Sequence, residues 1–129
     1  MPSKEQRPSD RRRTPRVRAE HELVLKAEGD AEFKARSVDL NLGGIYCTLD
    51  RHVPLFTKIG IALTLPIQLP DEMLWCELDL EGVVVRMDPE EPRPEVTDYA
   101  CAMAFVHMSE DAELVVAKYI LQALVKSSA

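Results

Sequence analysis

The stretch "VRAEHELVLKAEGDAEFKAR", residues 17–36, decides the fold. Val17, Ala19, His21, Leu23 and Leu25 fall on one side of an extended chain, and Arg18, Glu20, Glu22 and Lys26 fall on the other. That period of two marks a half-buried strand. "EGD" at 28–30 signals a turn, after which Ala31, Phe33 and Ala35 alternate with Glu32, Lys34 and Arg36. Two alternating runs joined by a tight turn form an antiparallel pair.

The pattern repeats along the chain. Its phase breaks near Ser37–Val38, ahead of "DLNLGG" at 39–44. Ile45, Cys47 and Leu49 then alternate with Tyr46, Thr48 and Asp50. Ile59, Ile61, Leu63 and Leu65 form a further run, which "PIQLPDEM" is expected to end. Leu74, Cys76, Leu78 and Leu80 oppose Glu77, Asp79 and Glu81, and the run continues through "GVVVRM". The acidic, proline-rich "DPEEPRPEVTD" belongs outside a sheet, because proline cannot donate to a ladder. Tyr99, Cys101, Met103 and Phe105 close the series against Ala100, Ala102 and Ala104.

The final segment changes period. Ser109 suits an N-cap, and Glu110, Asp111 and Glu113 suit the positive end of a helix. Leu114, Ala117, Leu121, Leu124 and Val125 read as its apolar stripe, and the helix is expected over about 109–126. About six strands with no interleaved helix exclude a doubly wound fold. The expected architecture is all-β, a small antiparallel barrel or sandwich with one C-terminal helix. Residues 1–10 read as a flexible arm, and 11–126 as a single domain.

Charge is unevenly placed. The 129 residues carry a net −6, of which residues 1–18 hold +5 and the remainder −11. A basic arm on an acidic body favours a local anion site over general attraction to nucleic acid, which the body repels. No apolar run approaches the ~18 residues of a membrane span, and no signal peptide is expected. Cys47, Cys76 and Cys101 are widely spaced and read as reduced thiols in a cytoplasmic protein. His21, His52 and His107 lie far apart, and His21 and His107 continue apolar strand faces and read as core or rim residues, so no metal or cofactor is expected. Trp75 shares a face with Glu77 and Asp79, as a rim or partner contact or simply a cover for apolar surface. Arg86, at the end of an apolar run, is a lesser candidate for ligand contact. There is no phosphate-cradling glycine loop ahead of a lysine, no nucleophile elbow and no catalytic carboxylate pair, so an enzyme is not expected.

The chemistry concentrates in two short stretches. Arg11, Arg12, Arg13, Arg16 and Arg18 precede or open the first strand, and "DLNLGG" links the second and third. In an antiparallel barrel these two places lie at the same end. Arg12 and Arg16 each offer a fork of donors to phosphate or to the O6/N7 edge of guanine. Asp39 suits guanine's N1–H and N2–H donors, and Asn41 can both donate and accept. Gly43 and Gly44 are expected to turn the backbone with positive φ and to admit a flat ring. The ligand so described carries phosphates and at least one guanine whose Watson–Crick edge is free, as in a small guanine dinucleotide.

Arg12-x-x-x-Arg16 followed by Asp39-x-Asn41-x-x-Gly44 and "IYC" resembles the PilZ domain family over roughly residues 11–125. The resemblance implies a six-stranded antiparallel barrel of split-barrel type with a closing helix. It also implies cyclic di-GMP as ligand and a role as a bacterial second-messenger receptor. It assigns binding to Arg12, Arg16, Asp39, Asn41 and Gly44, with Asn41 standing where the family usually has serine. Arg11 resembles the residue of members that take an intercalated pair of ligands, and its planar group can stack on a second guanine. A downstream protein partner is implied. The alternatives are a nucleotide-independent adaptor of the same fold and, with least support, nonspecific nucleic-acid binding by the arm.

Overall fold

A computed structural model of the chain describes residues 15–127. The strands are β1 (Val17–Arg18), β2 (Glu22–Ala27), β3 (Phe33–Asn41), β4 (Gly44–Leu49), β5 (Lys58–Gln68), β6 (Met73–Asp88) and β7 (Tyr99–His107), followed by helix α1 (Glu110–Ser127). All pairings are antiparallel. The six long strands close into a barrel in the order β3–β2–β5–β6–β7–β4, with β4 returning to β3. Two-residue β1 is the start of the first strand read from the sequence, set off from β2 by a break at 19–21. β1 and β2 pair with the same strand, β3, at Val17↔Leu40 and Leu23↔Ala35.

Period-two patterning builds the core. Leu23, Leu25, Phe33, Ala35, Cys47, Leu49, Ile59, Ile61, Leu63, Leu65, Leu78, Leu80, Cys101 and Met103 all point into the barrel and are buried. Cys47 and Cys101 face each other across β4 and β7, and the Cys47 thiol is pushed up by the neighbouring sulfur and by burial.

The phase break is a bulge. The β3–β4 register shifts between Ser37 and Asp39, so the inward set passes from Phe33, Ala35 and Ser37 to Leu40. Ser37 is buried among the apolar residues. Its hydroxyl donates to the Ala19 carbonyl and accepts from the His21 N–H at 2.9 Å, which satisfies the chain where the first strand is interrupted.

Two expectations need correction. The strand before "PIQLPDEM" does not stop there: β5 runs to Gln68 and pairs with β6 as far as Gln68↔Met73. Pro66 is tolerated because β2 pairs with β5 only up to Leu63, leaving that edge open. The Gln68 N–H, of the same parity as Pro66, donates away from β6 to Gln122 Oε1 at 2.9 Å.

The helix also packs on a different face from the one its leucines suggest. Ala112, Val116 and Ile120 are buried, whereas Leu114 (65% exposed) and Leu121 (62%) point outward. α1 is apolar on two sides, and polar anchors select between them. The Gln122 amide bonds both backbone groups of Gln68 at 2.9 Å, and Tyr119 Oη lies 2.9 Å from His21 Nε2. Ser109 caps the start, its Oγ accepting from the Ala112 N–H at 3.1 Å.

Candidate functional site

The β3 bulge decides which residues can meet a ligand. Without the extra residue, Asp39 would share parity with Phe33 and Ala35 and point into the core. With it, Leu40 fills the core and Asp39 and Asn41 emerge at the surface. β1 lies beside this segment through Arg18↔Asp39, which brings Arg16, just ahead of β1, to the same barrel end. The Arg16 guanidinium donates to Asp39 Oδ1 at 2.5 Å, joining groups 23 residues apart. Arg18 pairs instead with Glu20 at 3.0 Å.

Asn41 builds the turn that follows. Its Oδ1 accepts the N–H groups of Gly43 (2.9 Å) and Gly44 (2.8 Å), leaving the Nδ2 donors for a ligand. This side-chain closure of a tight turn is common chemistry for Asn and available more weakly to Ser, which explains how Asn stands at a serine position. Positive φ at Gly43 and Gly44 is not found: among the described residues the only glycine with positive φ is Gly29. Gly44 is required for space instead, since a Cβ there would lie 2.3 Å from the Met103 carbonyl oxygen. At Gly43 a Cβ would meet nothing closer than Asn41 Oδ1 at 3.6 Å.

These residues border an open groove of about 390 Å³. Arg16, Asn41, Gly43 and Gly44 form one wall, and Ile45, Val85, Ala102, Met103 and Ala104 complete the lining. The apolar part was not anticipated as a ligand surface. Its signal was present: Ala100, Ala102 and Ala104 make the outward face of β7 nearly flat, and Val85 is the extra residue at a second bulge, between Val84 and Arg86. Cationic wall and flat apolar floor suit a phosphate attached to a planar ring.

Arg11 and Arg12 lie outside the described residues, as does the 1–10 arm. Arg86 is exposed opposite Ala102 and does not line the groove. A larger groove, about 560 Å³, runs over the outer faces of β2, β3 and β4; its lining carries four carboxylates (Glu20, Glu22, Asp50 and Asp98) against two cations (Lys34 and Arg36), and this acidic balance disfavours phosphate. Among the described residues there is no His/Cys/Asp/Glu group fit to hold a metal ion, and no helix is long and apolar enough to cross a membrane.

The PilZ domain pattern matches residues 10–122, so the chain belongs to the PilZ domain family. Comparison with curated proteins returns no match. Among solved structures, the Bacillus subtilis inhibitor of motility MotI/DgrA superposes with a TM-score of 0.71 at 15% identity, covering 90% of this chain and 52% of that one. The PilZ domain of Escherichia coli YcgR with cyclic di-GMP gives 0.61 at 16% identity, covering 91% and 94%. The longer YcgR structure, also in complex with cyclic di-GMP, gives 0.59 at 16% identity, covering 92% and 48%. This chain therefore spans about half the length of MotI and of the longer YcgR chain. At such identities the likeness is one of fold.

Proposed function

We propose that the chain is a bacterial, cytoplasmic cyclic di-GMP receptor domain that acts by binding and not by catalysis. The observation that carries this reading is the Arg16–Asp39 contact, which joins one residue of each half-motif beside the groove that Arg16 lines. Arg12 and Arg16 grip the phosphates and a guanine O6/N7 edge, Asp39 accepts from guanine N1–H and N2–H, and the Asn41 amide donates to the base. Gly44 serves the site by letting β7 approach β4 closely. Arg11 stacks on a second guanine. Phosphate competes with Asp39 for the Arg16 fork, so the ligand replaces an internal ion pair and draws the basic arm over the groove. A partner protein then reads the altered surface.

Titration of cyclic di-GMP by calorimetry tests this. Micromolar binding is expected, with stoichiometry reporting one or two ligands per chain. Folded protein that gives no heat at tens of micromolar nucleotide rejects the reading.

One observation favours a second reading, a nucleotide-independent adaptor. Leu114 and Leu121 on α1 and Met73, Leu74 and Trp75 at the β5–β6 hairpin present apolar surface remote from the groove lining. Partner capture that survives Arg12→Ala, together with absent nucleotide binding, identifies that role.

A further inference from the structure

Among the described residues Phe56 is the most exposed of the large apolar side chains, at 74%, and its φ of 69° lies in the left-handed region. A bulky side chain enters that region at a cost, and such positions collect at ligand-binding sites. The 50–57 connection holds it there. The Phe56 N–H donates to the Val84 carbonyl at 2.6 Å and the Val84 N–H to the Thr57 carbonyl at 3.0 Å. Thr57 Oγ1 in turn donates to the Pro54 carbonyl at 2.7 Å.

Those bonds carry the β5–β6 ladder past its last regular pair, Lys58↔Val83. Phe56 therefore sits one strand across from Val84 and from its neighbour Val85, the bulged residue that lines the groove. From Gly44 on β4, across β7 and β6, to Phe56 is three strand spacings, on the order of 14 Å. That is the span of a ligand with two bases. Arg16 lines one side of the groove, and Phe56, outside the lining itself, stands one strand beyond Val85 on the other, with alanines and Val85 between.

We propose that Phe56 is a base-stacking residue of this groove, its ring lying against a guanine plane while Arg16 holds phosphate. The proposal rests on the reading of the groove as a guanine-dinucleotide site. Stacking needs only a π-face and no hydrogen bonds, so an exposed Phe held at a positive-φ position suffices.

The test compares wild type, Phe56→Gly, Phe56→Ala and Phe56→Trp by calorimetric titration with cyclic di-GMP and by thermal melting. Glycine adopts φ near +69° without strain, so Phe56→Gly is expected to melt higher while its affinity falls tenfold or more. Phe56→Ala loses affinity similarly. Phe56→Trp, made in a Trp75→Phe background, is expected to bind within threefold of wild type, with indole fluorescence quenched by the guanine. Wild-type binding accompanied by Phe56→Ala and Phe56→Gly affinities within twofold of it overturns the stacking role and leaves the site reading intact. Absence of wild-type binding overturns the site reading and this proposal with it.

Discussion

Arg16 Nη1 and Asp39 Oδ1 lie 2.5 Å apart across 23 residues of sequence, with side chains 50% and 25% exposed. An ion pair this open contributes little to folding, ~1 kcal/mol at most. In the function proposed above its worth lies in poise, because a phosphate can take over the guanidinium without breaking the fold. Arg16→Ala and Asp39→Ala are each expected to weaken cyclic di-GMP by about 2–5 kcal/mol, roughly 30-fold or more, as a phosphate loses its guanidinium in the first and guanine N–H groups lose their carboxylate acceptor in the second. Urea midpoints should stay close to wild type. A large midpoint loss in either variant would show the pair to be structural.

Gly43 and Gly44 should respond differently to a methyl group. Gly44→Ala places a carbon 2.3 Å from the Met103 carbonyl oxygen, so β4 and β7 must part at the groove floor. Overpacking of this kind costs about 1–3 kcal/mol, readable as a lower urea midpoint. Gly43→Ala meets its nearest atom at 3.6 Å and has no positive φ to strain, so little change is expected. Equal loss in both variants contradicts the close-approach explanation.

The packing phase of α1 is testable by a pair of neighbours. Ile120→Ala removes a buried side chain against the barrel and is expected to cost about 2–5 kcal/mol. Leu121→Ala, on the exposed side, should shift stability by ~0.5 kcal/mol or less. Denaturant unfolding of the two variants distinguishes this phase from its opposite, in which the ranking reverses.

His21 makes stability fall in acid. Burial, and secondarily the Arg36 charge, hold its imidazole below the ordinary value of 6.5. Between the lowered folded value and 6.5 the unfolded chain binds a proton that the folded chain does not, so stability declines as pH drops below about 6.5. The loss levels off once pH passes below the folded value. Melting temperatures from pH 8 to 5 should show the decline, and His21→Gln should flatten it. An unchanged slope in the variant assigns the effect to other groups.

Alternation over Val17–Leu25, Ile59–Leu65 and Tyr99–Phe105 was enough to read antiparallel strands, because burial on one face of a pleated chain imposes a period of two. The break at Ser37–Val38 was visible too, though its consequence was not. A phase change in the sequence does not say on which side the next carboxylate will emerge. The role of Gly44 was misjudged in kind: its spacing within the motif is local, but its crowding comes from the Met103 carbonyl, which lies 59 positions on and arrives only through β4–β7 pairing.

By itself the sequence determined the strands, their antiparallel succession, the closing helix and the two charged half-motifs, all of which follow from local period and residue chemistry. Tertiary structure alone decided that Asp39 faces out beside Arg16, that Val85, Ala102 and Ala104 pave the groove, and that α1 buries Val116 and Ile120 in place of Leu114 and Leu121. These outcomes depend on bulges, on barrel closure and on the anchors Gln68–Gln122 and His21–Tyr119. Each joins segments distant in the chain, and hydrophobic periodicity within one segment carries no information about its distant neighbours.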